Sequence, residues 1–255
     1  DSEIRSTEVD EVLIQGNRLQ TPFSEATRDI QVITQKQIEA LPAKSINEVL
    51  SYIRGVDIRQ RGPFGTQSDI IIDGGTSEQT IVLINGVKMI DAQSAHNMMN
   101  LPIPLSAIDH IEVIRGAAAR IYGINALTGA VNIVTKKGKR SSVTADLQAG
   151  SSFQSKDDGD GSGIYAGNAA EVTGIFGTEQ QSQLFSFAHS DYNGQRYNSA
   201  GKNTRFFYNG NYDFNENNSI HAMVGYANNH FGANGFYAAP GDVNSEEVTE
   251  TSVFS

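Results

Sequence analysis

Two textures of apolar and polar patterning meet near residues 136–140. Before that point, short apolar runs mix with helix-start signals. Residues 29–33 read as a strand, and Thr34 with Gln37 has the spacing of a capping box that opens a helix. Ser45 and Glu48 repeat the signal, followed by an apolar face of Val49, Leu50 and Ile53 and a stop at Gly55. Residues 56–58, 70–72, 81–84, 111–114 and 131–134 are apolar, β-branched-rich strand candidates, and Asn85-Gly86 is a strong tight-turn signal. Residues 61–68 and 91–100 lack periodicity and read as loops, where binding residues usually sit.

After residue 140 the period becomes two. Phe206, Tyr208, Gly210, Tyr212 and Phe214 share one face, and Phe207, Asn209, Asn211 and Asp213 share the other. Ile220, Ala222, Val224 and Tyr226 alternate in the same way, as do Val143, Ala145, Leu147 and Ala149. Short turns at 178–182 and 215–219 alternate with longer loops at 154–163 and 194–203, as in outer-membrane barrels. A soluble β-sandwich also alternates apolar and polar faces, so the pattern alone leaves both architectures open.

Composition narrows the chemistry. The chain has 255 residues and no cysteine, which removes disulfides, thiolate metal sites and cysteine nucleophiles. A formal net charge of −10 argues against nucleic acid as a partner. No run reaches the roughly 18 consecutive apolar residues of a membrane helix. Asp1, Ser2 and Glu3 do not open a signal peptide, so the N-terminus reads as mature or trimmed. His96, His110, His189, His221 and His230 show no helical metal-ligand spacing, and nothing pairs a nucleophile with a base, so an enzyme is not expected.

Ordered motifs in the first half add a resemblance. Residues 10–14, Asp10-Glu11-Val12-Leu13-Ile14, are similar to a TonB box. The runs 45–50 and 55–58, Val82-Leu83-Ile84-Asn85-Gly86-Val87, Ile111-Glu112-Val113-Ile114-Arg115-Gly116 and residues 129–135 follow in the order of a TonB-dependent outer-membrane receptor plug. The resemblance implies an α+β plug domain with a small mixed sheet, followed by the first strands of a transmembrane antiparallel β-barrel of about 22 strands. It divides the chain into an N-terminal extension with the box (1–28), the plug (29–138) and the first barrel strands (139–255). About five strands fit after residue 140, so a further C-terminal portion is expected.

The same resemblance assigns roles. Val12, Leu13 and Ile14, flanked by Asp10 and Glu11, would add as an edge strand to TonB. The loops at 61–68 and 91–100 would be plug apices that meet substrate, through Arg61, Phe64, Gln67 and Ser68 in one and Gln93, Ser94, His96 and Asn97 in the other. Asp73 stands where the family often has arginine, leaving Glu112 and Arg115 as the remaining members of a plug-to-barrel lock. Asp158, Asp160 and Ser162 start like a calcium loop. The twelfth position would be Ala169 and not a bidentate acid, so a solvated acidic loop is preferred over calcium, and no cofactor is required.

The implied function is active import across the Gram-negative outer membrane, with outer-membrane lipid and a surface lipoprotein as further partners. Cobalamin is the leading substrate, because residues 57–68 have the loop length of cobalamin receptors and residues 96–103 resemble those of Bacteroides-like bacteria. A ferric siderophore or haem is the alternative. A surface-binding or signalling receptor that transports nothing is the reading of a different class.

Overall fold

The hydroxyl-led helix starts form where their spacing puts them. Thr34 caps α1 (Gln35–Ala40) in a reciprocal capping box with Gln37. Ser45 caps α2 (Ile46–Ser51) by accepting from the Glu48 N–H at 3.2 Å. The Glu48 carboxylate reaches back one residue further than in a strict box, to the Lys44 N–H at 2.6 Å. The helix ends at Ser51, before Gly55, so that glycine closes the turn into the next strand.

The computed structural model describes residues 13–14, 21–22, 30–62, 65–89, 99–116, 119, 122–123, 125–155, 163–195, 198–215, 217–236 and 246–255. The first strands are β1 (Leu13–Ile14), β2 (Thr21–Pro22), β3 (Ile30–Thr34), β4 (Val56–Gln60), β5 (Ser68–Ile72), β6 (Thr80–Ile84), β7 (Val87–Met89), β8 (Ile108–Arg115) and β9 (Gly129–Thr135). Five of them form a sheet in the order β3-β8-β9-β6-β7, in which only the β6–β9 pair is parallel. β4 and β5 form a separate antiparallel pair. Asn85 and Gly86 join β6 to β7 with φ of 49° and 80°, the left-handed conformations that a two-residue hairpin requires.

β6 and β9 are buried along their whole length because the sheet is covered on both faces. Val82, Ile84, Val131 and Ile133 pack in a core with α2, β4 and β5. Their neighbours Ile81, Leu83 and Ala130 pack on the other side with Ile30, Ile114, Ala119 and Ala126.

The remaining strands are β10 (Ser142–Ser155), β11 (Ile164–Gly177), β12 (Gln181–Tyr192), β13 (Gly201–Asn215), β14 (Asn218–Gly232) and β15 (Glu246–Phe254). They pair in sequence order, all antiparallel, as one six-stranded sheet. β15 is one strand more than the sequence reading placed here. Glu246, Glu247 and Glu250 hide its alternation. The strand ends joined by short connections, Gly177 to Gln181 and Asn215 to Asn218, lie at one end of the sheet, and those joined by longer ones, Ser155 to Ile164, Tyr192 to Gly201 and Gly232 to Glu246, lie at the other.

The orientation of this sheet decides between sandwich and membrane barrel. Its inner face abuts the first half, so that Ile175, Leu184, Phe207 and Met223 join the same core as Val82 and Ile133. Its outer face carries Val143, Leu147, Val172, Phe176, Phe185, Phe187, Phe206, Tyr212, Phe214, Ile220, Val224 and Tyr226, all exposed. Leu147 keeps 81% of its surface and Phe214 62%. Aromatic rings form a ladder across that face, with Phe185 centred 4.9 Å from Tyr208 and 6.3 Å from Phe176. A contiguous apolar surface of this extent is unfavourable in water and favourable against hydrocarbon. The fold is a plug with a small mixed sheet seated on a barrel-like fragment.

Tyr208 points outward and Gln148 lines a cavity on the inner side. Tyr208→Arg should therefore destabilise the assembled barrel by about 2 to 4 kcal/mol near the midplane, less toward an interface. Gln148→Arg should fold nearly as well as the wild type. Urea titration of the receptor refolded into lipid vesicles measures both, and equal tolerance at the two positions would contradict a lipid-facing outer surface.

Candidate functional site

The loop between β4 and β5 rises beside the long barrel connections. It is closed by the Arg61 N–H donating to the Gln67 carbonyl at 3.0 Å, and by the Gln60 amide donating to the Gly62 carbonyl at 2.7 Å. The exposed Arg61 guanidinium donates to the carbonyl of Phe236, after β14, at 2.7 Å. This ties the plug apex to a barrel loop at the long-loop end. Gln67 and Ser68 are buried, and the Ser68 hydroxyl accepts from the Asn47 amide at 2.9 Å. Of the residues expected on this apex, Arg61 is exposed, whereas Gln67 and Ser68 are buried, Ser68 against Asn47 of α2.

Phe64, Gln93, Ser94, His96 and Asn97 lie outside the described residues, as do Asp10, Glu11 and Val12 of the box and the calcium candidates Asp158, Asp160 and Ser162. Among the described residues, no group of three acids or histidines is placed to hold a metal. Leu13 and Ile14 form β1, paired with Pro22 and Thr21 of β2.

The two residues expected to lock plug to barrel make contacts inside the plug. Arg115 donates to the Asp73 carboxylate at 2.7 Å, to the Arg54 carbonyl and to Gln31 at 3.3 Å. The acid that stands where arginine was expected is thus the partner of Arg115, which turns this arginine toward the plug's own turn. Gly55 is favoured here by its left-handed φ of 77°, and a Cβ would also displace the ends of the Asp73 and Arg115 side chains, 2.5 and 2.6 Å away. Glu112 is fully buried, with one oxygen accepting from Asn132 at 2.9 Å and the other 3.3 Å from His110 Nε2. His110 Nδ1 lies 2.6 Å from Asp109. Burial alone would push the His110 pKa down, but the hydrogen bonds and charges of Asp109 and Glu112 outweigh it and raise the pKa to about 9. The plug core therefore holds an imidazolium between two carboxylates.

The seam between plug and wall is ordered in rows. Toward the short-turn end runs the cross-strand row Ile175, Leu184, Asn209 and Met223. Asn209, buried in this otherwise apolar row, donates to Thr135 Oγ1 at 3.1 Å, and its oxygen lies 2.6 Å from His221 Nε2. The Asn85 amide bonds Thr135 at 2.9 Å and reaches Asn209 at 3.4 Å. Further toward the long loops comes the row Asp146, Glu171, Ala188 and Arg205, and beyond it Gln148, Ala169, Ser190 and Asn203. A cavity of about 420 Å³ lies between these polar rows and the plug, bounded by Gln60 and Leu105 on one side and by Gln148, Glu171, His189 and Arg205 on the other. Glu171, Asn203, Arg205 and Asn209 were not singled out as site residues. The signal was present, since each is polar at an inward position of a period-two strand, but alternation alone does not say what an inward face touches.

Residues 22–130 match the family model of the TonB-dependent Receptor Plug Domain. Over 168 residues the chain is 32% identical to the vitamin B12 transporter BtuB of Vibrio cholerae, covering 66% of this chain and 27% of that protein. The chain thus spans about a quarter of the length of this curated relative. Among solved structures it resembles the siderophore receptor PirA from Pseudomonas aeruginosa (TM-score 0.63, 22% identity, 80% of this chain and 34% of that one). It also resembles the ferric citrate transporter FecA (TM-score 0.67, 18% identity, 82% and 32%). These are transporters and receptors, not enzymes, and the structural likeness is one of fold. The plug, the barrel strands and these relatives place the chain in the outer membrane of a Gram-negative bacterium.

The buried imidazolium gives a pH dependence of known sign. Its folded pKa of about 9 lies above the unfolded value of 6.5, so its stabilisation is fully present below about pH 6.5 and is lost as pH rises through 9. The loss should be at most about 3 kcal/mol. Thermal unfolding of the plug in the detergent-solubilised receptor should fall between pH 6.5 and 9.5 in the wild type and stay nearly flat in His110→Gln. Parallel curves would show that His110 is not charged in the folded plug.

Proposed function

We propose, for a chain that carries a TonB-dependent receptor plug domain seated on barrel-like strands, that it is the N-terminal part of an active importer whose ligand is cobalamin. The observation that carries this reading is the plug itself, packed against the inner face of a wall whose outer face is apolar. Such a plug closes a pore without any catalytic group, and opening it requires mechanical work from outside the membrane plane. TonB would supply that work by pairing with the segment at residues 10–14. The resident pairing there is short: β1 meets β2 over two residues, and Pro22 has no N–H to give.

Support for cobalamin comes from the vitamin B12 transporter relative, whose similarity extends over 66% of this chain. The loop length at 57–68 and the run at 96–103 point the same way. The apical groups proposed to meet the ligand are Arg61 and Phe64 in one loop and Gln93, Ser94, His96 and Asn97 in the other, uncharged apart from Arg61. Gln67 and Ser68 support the first loop from beneath. A ferric siderophore or haem is the competing ligand.

Binding to the full-length receptor in detergent, comparing cobalamin with ferric siderophores, tests the ligand directly, and siderophore binding without cobalamin binding would overturn it. In the same assay Phe64→Ala should weaken binding by about 1 to 3 kcal/mol, since a large ligand draws most of its affinity from a few anchors. Leu13→Pro removes a backbone donor from the box, so uptake into cells should fail while binding survives. Unimpaired uptake by that variant would exclude coupling through this segment.

A further inference from the structure

The wall grips one plug segment through its backbone. Arg205 on β13 donates from Nη1 to the Ile103 carbonyl at 3.3 Å, while its Nε donates to Asn203 at 2.8 Å, which orients the guanidinium. Glu171 on β11 accepts the Ser106 N–H at 2.7 Å. The Ser106 hydroxyl continues at 2.5 Å to Thr173 on β11, and Thr173 at 2.5 Å to Ser186 on β12. Glu171 and Arg205 both pair with Ala188, so they stand two strands apart in one row, a separation of about 10 Å. The three residue steps from Ile103 to Ser106 reach at most about 10 Å when extended. Pro102 and Pro104 stiffen this stretch and the turn at Leu105–Ala107 shortens it, so the Arg205 and Glu171 side chains reach in from the wall to hold it at two points.

Three features make this contact more than packing. The segment leads, through a single turn at Leu105–Ala107, into β8. It borders the cavity of about 420 Å³, of which Leu105, Glu171 and Arg205 are all lining residues. Nearer the short-turn end, the contact between plug and wall is mainly apolar, through Ile175, Leu184, Phe207 and Met223, with the hydrogen bonds of Asn209 to Thr135 and Asn85 set among them. Directional polar bonds to backbone atoms break and re-form in water more readily than an apolar seam of that kind separates.

We infer that Glu171 and Arg205 are positioning residues, a clamp on the barrel wall that holds segment 103–106 seated, and that release of this clamp opens the cavity beside it into the passage past the plug. The passage has its meaning within the importer reading, but the clamp's sealing role is testable without any ligand.

The test uses the full-length receptor in the outer membrane of cells, with vancomycin as a large hydrophilic probe of leakage. Glu171→Leu combined with Arg205→Met should raise vancomycin sensitivity several-fold. Glu171→Gln, which keeps an oxygen for the Ser106 N–H, should seal like the wild type. A leak from general misfolding is separated by a cross-link. The chain has no cysteine, and Ser106→Cys with Thr173→Cys places two sulfurs where two hydroxyls already touch. Oxidation of that pair should restore the seal in the leaky variant, and reduction should remove it again. In an otherwise wild-type receptor the oxidised pair should bind cobalamin but not import it, with uptake returning on reduction. A leak-free double variant, a leak that the cross-link does not close, or normal import by the oxidised pair would each overturn the clamp. Absence of import in the wild type would instead sink the importer reading and leave the seal result standing.

Discussion

The arrangement depends on one constraint: a strand with period-two alternation has two faces of different polarity, and both must find a suitable solvent. Here the outer face is aliphatic and aromatic, and the inner face is mixed, with Asn203, Arg205, Asn209 and Glu171 among its residues. Hydrocarbon suits the first, but inward polar groups that are buried need bonding partners. The plug is that partner. Its carbonyls, amides and hydroxyls at Ile103, Ser106, Asn85 and Thr135 satisfy wall groups that would otherwise face a void.

Within the plug two charged clusters find partners in the plug itself. Asp73 draws Arg115 back over Gly55, and His110 shares its charge with Asp109 and Glu112. The first pair is partly exposed and contributes little, on the order of 1 kcal/mol or less. In the second, His110 and Glu112 are buried while Asp109 is half exposed, so losing Glu112 would leave an unpaired charge in the core. These two clusters belong to the plug alone, and the links to the wall described at Asn85, Ser106 and Ile103 are hydrogen bonds, each worth about 0.5 to 1.5 kcal/mol net and somewhat more where a charged group takes part. For the importer proposed above, in which the plug is displaced by a pull, several such links serve better than a few deep ion pairs.

Much of this was legible in the sequence. The capping signals at Thr34 and Ser45, the Asn85-Gly86 turn, the apolar runs of β6, β8 and β9 and the alternation of β13 and β14 each follow from local rules of hydrogen bonding, φ preference or periodicity. The inward and outward faces of Phe207 and Tyr208 were readable for the same reason, since side chains on a strand alternate whatever the strand packs against. Only the tertiary structure decided which groups meet across long sequence separations. Asn209 was legible as inward-facing but not as a partner of Thr135, and Arg115 was assigned to a barrel lock while its carboxylate partner stands at Asp73. Glu171 and Arg205 drew no notice, because their grip on segment 103–106 arises from strand register. Register places residues from β11 and β13 in one row opposite a plug segment, and no local pattern along the chain encodes that meeting.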